Sequence, residues 1–434
     1  MFKTLASAFK NPDLRKKIII TLVLLIVYRV GCFLPVPGIE ASVFATNVGS
    51  DVSLLTLLNA VSGSALSNGA FLALGVTPYI NASIIVQLLS VGIPALERLS
   101  KQGEDGKEKI NLITKIIAIV LAIAQGIGIV LGFGSECLSP IFGSNLLWLS
   151  GVFVVLVLVA GTCFTMWLGD RITEQGVGNG LSLIIFIGII ATAAQGIASS
   201  IASVFGGNTT SLWELIGFVV TAFIIFALIV FFDLAERRIK VQYAKQVKGR
   251  KMFGGQSTYI PLKVNAGGVM PIIFATAIIT FPNLVMQLFG VTRDSGWFAR
   301  FYYDYLGAGG WVYSILVALL ILFFSYFYAQ IQFNPTDVAQ NIQQNGGFIP
   351  QVRPGKPTVE YLSRISKRIT LFGAVFLAFI AIVPTIIFKI VAGGSAGLLN
   401  AFTATGMLIV VSVAIELDTQ INAQLLMKRH KNLL

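Results

Sequence analysis

Few side chains in this chain are placed to do chemistry. The one histidine, His430, sits in the charged C-terminal tail, which excludes imidazole acid–base chemistry within the apolar segments. The cysteines Cys32, Cys137 and Cys163 stand singly, without metal-ligand spacing or a disulfide framework. Carboxylates cluster at two places. Glu97, Glu104, Asp105 and Glu108 are interleaved with Arg98, Lys101 and Lys107 and read as a solvated, mixed-charge turn. Asp170 and Glu174 flank Arg171 at the end of an apolar run, beside water, where neither carboxyl has the dry surroundings that tune a general acid. No glycine-rich phosphate loop with a lysine follows a strand, and Gly126-x-Gly128 lies inside an apolar run, where helix packing accounts for it. No catalytic set, cofactor or metal is expected, so the chain is read as a non-enzyme.

What remains is aliphatic and cationic. Ile80 and Ile84 share a helix face at i, i+4, and Ile185 and Ile189 do the same further on. Around a pore, such residues make a dry constriction that blocks ions by dewetting, binds no ligand and can widen. Periodicity alone favours reading them as ordinary core or lipid-facing isoleucines. The stretch Gly75-Val76-x-Pro78-x-Ile80-x-Ala82-Ser83 is echoed by Gly268-Val269-x-Pro271-x-Ile273-x-Ala275-Thr276, which makes Ile273 the partner of Ile80. Before the first copy, the run from Ser62 to Gly69 is small and polar, and is expected to form a short half-helix folded into a cavity.

The elements that must carry these residues are membrane spans. Hydrophobic residues are 56% of the 434, charged ones 12%, and mean hydropathy is +0.84, outside the range of soluble domains. The basic N-terminus leads into Pro35-Val36-Pro37-Gly38 rather than a small-residue cleavage site, so no cleavable signal is expected. Ten apolar segments are long enough to span: 18–34, 70–93, 112–133, 146–168, 181–205, 212–232, 267–289, 311–331, 369–390 and 397–415. Of the 31 Lys and Arg, only Arg29, Arg293, Arg300 and Lys389 fall on the outer side when the N-terminus is cytoplasmic. That asymmetry predicts ten spans with both termini in the cytoplasm.

An echo between spans two and seven predicts two five-span halves, 1–205 and 206–434, inserted in opposite directions with the functional site between them. The expected class is therefore an all-α polytopic membrane protein with two pseudo-symmetric inverted halves around a central hourglass pore. Ion-coupled transporters keep titratable groups inside the bilayer. Here the span interiors hold almost none, which weighs against the alternative of a small-solute secondary transporter. Two long cytoplasmic loops, 233–266 and 332–368, carry clustered cations, and Thr258 to Leu262 reads as a short extended segment. Basic loops can merely enforce topology. Loops this long, with apolar residues of their own, more often have a function.

Four motifs resemble the SecY family, the channel subunits of the bacterial Sec translocon. They are TPYINASIIVQLL from Thr77, MWLGDRITEQGVGNGLSLIIF from Met166, QSTYIPLKVNAGGVMP from Gln256 and GGFIPQVRPG from Gly346. The resemblance covers essentially the whole chain. It implies a passive protein-conducting channel that translocates secretory polypeptides and releases hydrophobic segments sideways into the cytoplasmic membrane. It implies a pore ring of Ile80, Ile84, Ile185, Ile189, Ile273 and Ile409. It implies a plug at about 56–69, including Ser62, Gly63, Ser64, Ala65, Leu66, Ser67 and Asn68. Its small residues suit a segment that must leave, because little apolar surface is released.

The family pattern also places a lateral gate between spans two and three and spans seven and eight, with Gln87, Gln125 and Thr276 at it. It assigns Arg250, Lys251 and Arg353 to docking of the ribosome or the SecA motor. Implied partners are SecE, SecG, SecA, the ribosome, signal sequences, translocating chains and membrane lipids. The implied location is the bacterial inner membrane. One departure stands out: Gln343-Gln344 and Gln351 occupy positions where the family often carries Lys-Lys and Gly. Ribosome contact by this second loop is then expected to be weaker and its tip stiffer.

Overall fold

The computed structural model describes residues 7, 9–40, 59, 62–133, 138–139, 147–205, 209–243, 246–248, 251–253, 257–265, 267–288, 296–297, 300, 311–391 and 404–431. Apolar runs become helices because a helix satisfies its own backbone where water is absent. Those at the predicted spans are α1 (Pro12–Gly31), α2 (Thr77–Gly92), α4 (Glu104–Phe133), α5 (Leu147–Gln175), α6 (Gly180–Phe205), α7 (Thr209–Asp233), α8 (Met270–Leu288), α9 (Trp311–Gln332), α11 (Lys356–Val391) and α12 (Ala404–Lys431). Among the described residues, seven helices are long and apolar enough to cross a membrane. These are α4, α5, α6, α7, α9, α11 and α12, while α1, α2 and α8 sit at the other three expected segments. The protein is a helical, multi-pass membrane protein. On α7 the side chains of Phe223 and Phe231 are exposed, as lipid-facing residues should be.

Two short helices lie outside the apolar runs. α3 (Pro94–Lys101) follows α2 directly. α10 (Pro335–Gln344) starts on Asn334, whose side chain accepts from Thr336 N, with Pro335 at the first position, where its missing N–H is not needed.

The chain divides into two compact units. The first comprises Met1–Phe218, Ala277–Tyr313 and Phe388–Leu434. One of its cores joins Val36, Leu66, Ala73, Leu74, Ala122, Ile129, Val154 and Leu158. A second cluster, Leu14, Val177 and Ile421, joins the N-terminal helix to α12.

The second unit is Val219–Thr276 with Ser314–Ile387. Aromatic rings tie its helices: Phe232 stacks on Phe376, and Phe274 meets Phe324 edge-on. Here the two long loops do more than supply the expected extended segment at Thr258 to Leu262. They fold together. β1 (Glu236–Tyr243) pairs antiparallel with β4 (Ser257–Lys263) on one side and with β5 (Gly347–Phe348) on the other. Pro261 is tolerated because β4 is an edge strand. Ile239 and Val241 point inward while Arg238 and Lys240 point out, the period-2 pattern of a half-buried strand. The inward face shares a core with Leu262, Ala339, Ile342, Ile349 and Leu362. Leu362 explains why α11 begins at Lys356, well before the apolar run: its first turns are amphipathic and cover the sheet. A separate hairpin pairs β2 (Gln246–Lys248) with β3 (Lys251–Phe253).

Candidate functional site

Ser62 is helical, and beyond it the small, polar run 63–69 forms turns rather than continuing the expected half-helix. Gly63 and Ser64 both have φ of 68, and Gly69 has 57, left-handed values that a right-handed helix cannot contain. Side-chain oxygens take over the backbone donors that a helix would use. Ser67 N donates to Asn59 Oδ1 (3.0 Å), and Ser67 Oγ donates to Ser64 O (2.9 Å). Positions 56–58, 60 and 61 of the predicted plug lie outside the described residues.

This run is deeply seated. Ser62, Ala65 and Leu66 are almost wholly buried. From the N-terminal helix side, Arg29 Nη1 donates to Gly63 O (2.6 Å), Asn68 Nδ2 donates to Cys32 O (3.3 Å), and Val36 N donates to Gly69 O (2.8 Å). From α6, Gln195 Oε1 accepts from Ser64 Oγ (2.5 Å). A Cβ on Gly63 would stand 3.0 Å from Gly188 Cα, a close approach that only a glycine pair permits. Gly188 lies on α6 between Ile185 and Ile189, so the run rests on the very segment that carries two of the predicted pore residues. What retains it is therefore largely polar, with Leu66 its one large apolar side chain.

The predicted pore isoleucines divide between the units. Ile84, Ile185, Ile189 and Ile409 are buried and Ile80 is half-buried, all in the first unit, where α12 packs against α6. Ile273, half-buried on α8, belongs to the second unit. The echoed stretches share a backbone feature: Gly75 (φ 52) and Gly268 (φ 58) are both left-handed just before α2 and α8.

Of the predicted gate residues, Gln87 is half-buried on α2 and Gln125 is buried on α4, and these helices pack together. Gln125 Oε1 accepts no hydrogen bond. Thr276 Oγ1 turns back onto its own helix, donating to Ile272 O and Ile273 O (3.0 Å each). Among the docking residues, Arg353 is exposed, and its carbonyl accepts from Thr358 Oγ1 (2.8 Å). Lys251 opens β3, and Arg250 lies outside the described residues. Two residues before Arg353, Gln351 is held at φ 68, a strained value for a residue with a Cβ.

Arg29 and Gln195 hold the run 62–69, and the sequence reading assigned neither. Arg29 had a signal: a charge inside a span is a functional residue by default. Gln195 had none, since one glutamine beside a glycine in an apolar helix is common. Lys115, inside the third span, is neutralised by Asp170 at 2.6 Å.

Comparison with known proteins supplies the context. The SecY family model matches residues 70–417. The chain is 41% identical over 447 residues to the protein translocase subunit SecY of Streptomyces galbus, covering 100% of both. Solved structures similar to it include a protein conducting channel (TM-score 0.67, 19% identity, 94% of this chain and 92% of that one). A SecY whose plug domain stabilises the closed state of the translocation channel gives a TM-score of 0.64 at 17% identity, covering 94% and 92%. Sec61 in the canine ribosome–channel complex from the endoplasmic reticulum gives 0.63 at 17%, again covering 94% and 92%. At these identities the structures speak for the fold.

Proposed function

The chain belongs to the SecY family, and from that premise we propose that it is the passive protein-conducting channel of a bacterial inner membrane, with both termini in the cytoplasm. Two inverted halves, 1–205 and 206–434, enclose an hourglass pore. Secretory chains pass a waist formed by Ile80, Ile84, Ile185, Ile189, Ile273 and Ile409, and hydrophobic segments leave sideways past Gln87, Gln125 and Thr276. The sequence holds no nucleotide-binding motif, so the energy comes from a partner. SecA or the ribosome docks on Arg250, Lys251 and Arg353, where exposed cations suit a phosphate-rich or acidic surface. SecE and SecG complete the complex.

One observation carries this reading: the run 62–69 is seated against Gly188, between Ile185 and Ile189, and is held there mostly by polar bonds. A segment so placed closes the dry waist, and a segment so held can be released, because each polar bond it loses is replaced by one to water at modest net cost. A small-solute transporter needs a ligand site rather than a removable stopper.

The test is conductance of the purified complex in planar bilayers. Deleting 62–68, or Ile84→Asn, should produce ion leak and allow export of chains with defective signal sequences. A tight membrane with either variant would overturn the reading.

A further inference from the structure

The second unit contains a polar site outside the channel machinery. Asn265 stands between β4 and α8 and is 8% exposed. Its Nδ2 donates to Asp233 Oδ1 at 2.9 Å. An ionised carboxylate only accepts, so this bond fixes the amide's orientation and leaves Oδ1 facing elsewhere. That Oδ1 is buried and has no partner in the protein. Ser325, on α9 and 5% exposed, is in the same state: its Oγ is buried and unpartnered. Several hydroxyls within spans satisfy themselves on their own helix, as Thr162, Thr165 and Thr276 do by donating to the carbonyl four residues back, although those of Thr77 and Ser150 are unpartnered. Ser325 does not satisfy itself in this way.

Asn265 and Ser325 both line one cavity of about 10 Å³, together with Val264, Gly267, Thr370 and Gly373. Two buried polar groups without partners carry an uncompensated desolvation cost, and their meeting in one small space points to a ligand that satisfies both. The space holds about one water, and a buried water needs two to four polar partners. Asn265 Oδ1 accepts, Ser325 Oγ donates or accepts, and the Thr370 hydroxyl offers a third contact. No carboxylate lines the cavity, so it lacks the charged ligand that a bare cation would need.

We propose that the cavity is a built site for a single structural water, which joins the root of the loop sheet at Asn265 to α9 at Ser325 and to α11 at Thr370. The site extends beyond the channel reading: it anchors the proposed docking sheet to the helices beneath it, three residues ahead of Gly268, which precedes α8.

The sign of one substitution decides the matter. With the water present, Ser325→Ala removes one of its partners, and the apparent Tm of the purified complex falls by about 2–4 °C. In a dry site the same change deletes an orphaned hydroxyl, and the Tm stays level or rises. Alanine is the better helix former, so loss of helix propensity cannot mimic the fall. Melting in sodium, potassium and choline chloride should give one value, and dependence on the cation would overturn the water assignment in favour of an ion. A density map that resolves ordered waters should show a peak bonded to Asn265 Oδ1 and Ser325 Oγ. An empty cavity in that map would overturn the proposal whatever the melting shows.

Discussion

Gly75 and Gly268 lead into α2 and α8 with the same left-handed backbone, yet what precedes them differs entirely. Ahead of Gly75 lies a run of buried turns tied by Arg29, Gln195, Asn59 and Asn68. A Cβ on Gly75 would meet Ser62 and Tyr28, whereas one on Gly268 would meet open space. Ahead of Gly268 lies an edge strand whose sheet is closed by an apolar core containing Ile239, Ile342 and Leu362. The glycine and the proline three residues on specify only the turn into a helix. The preceding residues decide permanence. The first run holds on by polar tethers, which exchange with water, and by Leu66 as its one large apolar anchor, whereas the sheet is closed by several apolar side chains, so the first is the more easily released. On the proposed function, the first copy carries the stopper and the second the platform.

The widest separation between the two should come from Arg353→Glu. Reversing the exposed charge on the platform should lower motor-driven translocation by about 10-fold or more, since like charges facing a partner cost several kcal/mol. Ion leak should stay at the wild-type level. Normal secretion by this variant would remove the platform's docking role, and a rise in leak would erase the distinction between the regions.

Arg29→Ala should do the converse. It removes a charge-assisted bond to Gly63 O worth about 1.5–3 kcal/mol, which raises the released population roughly 10- to 100-fold. Conductance should show the increase, while binding of the motor or ribosome remains unchanged. Ser64→Ala acts on the same region more gently, by about 0.5–1.5 kcal/mol, with a few-fold rise in leak. Adding Gln195→Ala to it should cost less than the two single effects summed, because both act on one bond. Additivity would show that the pair is not coupled.

The smallest effect belongs to the platform's tip. Gln351→Gly relieves a left-handed residue and should stabilise the loop unit by about 1 kcal/mol, seen as slower proteolysis between α10 and α11. Faster proteolysis would mean that the strain is not local to Gln351.

How much of this was legible beforehand depends on the kind of signal. The spans follow from apolar length, and helices occupy the predicted segments, most closely at α6, which begins one residue before the expected Leu181. Thr258 to Leu262 was read as extended and lies in β4. The sheet itself was hidden because β1 and β5 pair across more than a hundred residues, and local pattern cannot report such pairing. α11 starts early because amphipathic turns look polar until the surface they cover is known. The half-helix expected at 62–69 extends no further than Ser62, because Gly63, Ser64 and Gly69 take up left-handed backbone. Its tethers were unreadable because Ser64 and Gln195 meet only through the fold.

The central claim is that a polypeptide threads a waist formed by isoleucines from both copies of the repeat. Cysteines placed at Ile84 and Ile273 in the complex, with an arrested secretory chain carrying a single cysteine, test it directly. The account predicts that both positions crosslink to the chain, at the same short window of chain residues. Crosslinks at neither position, or at windows far apart along the chain, would contradict it.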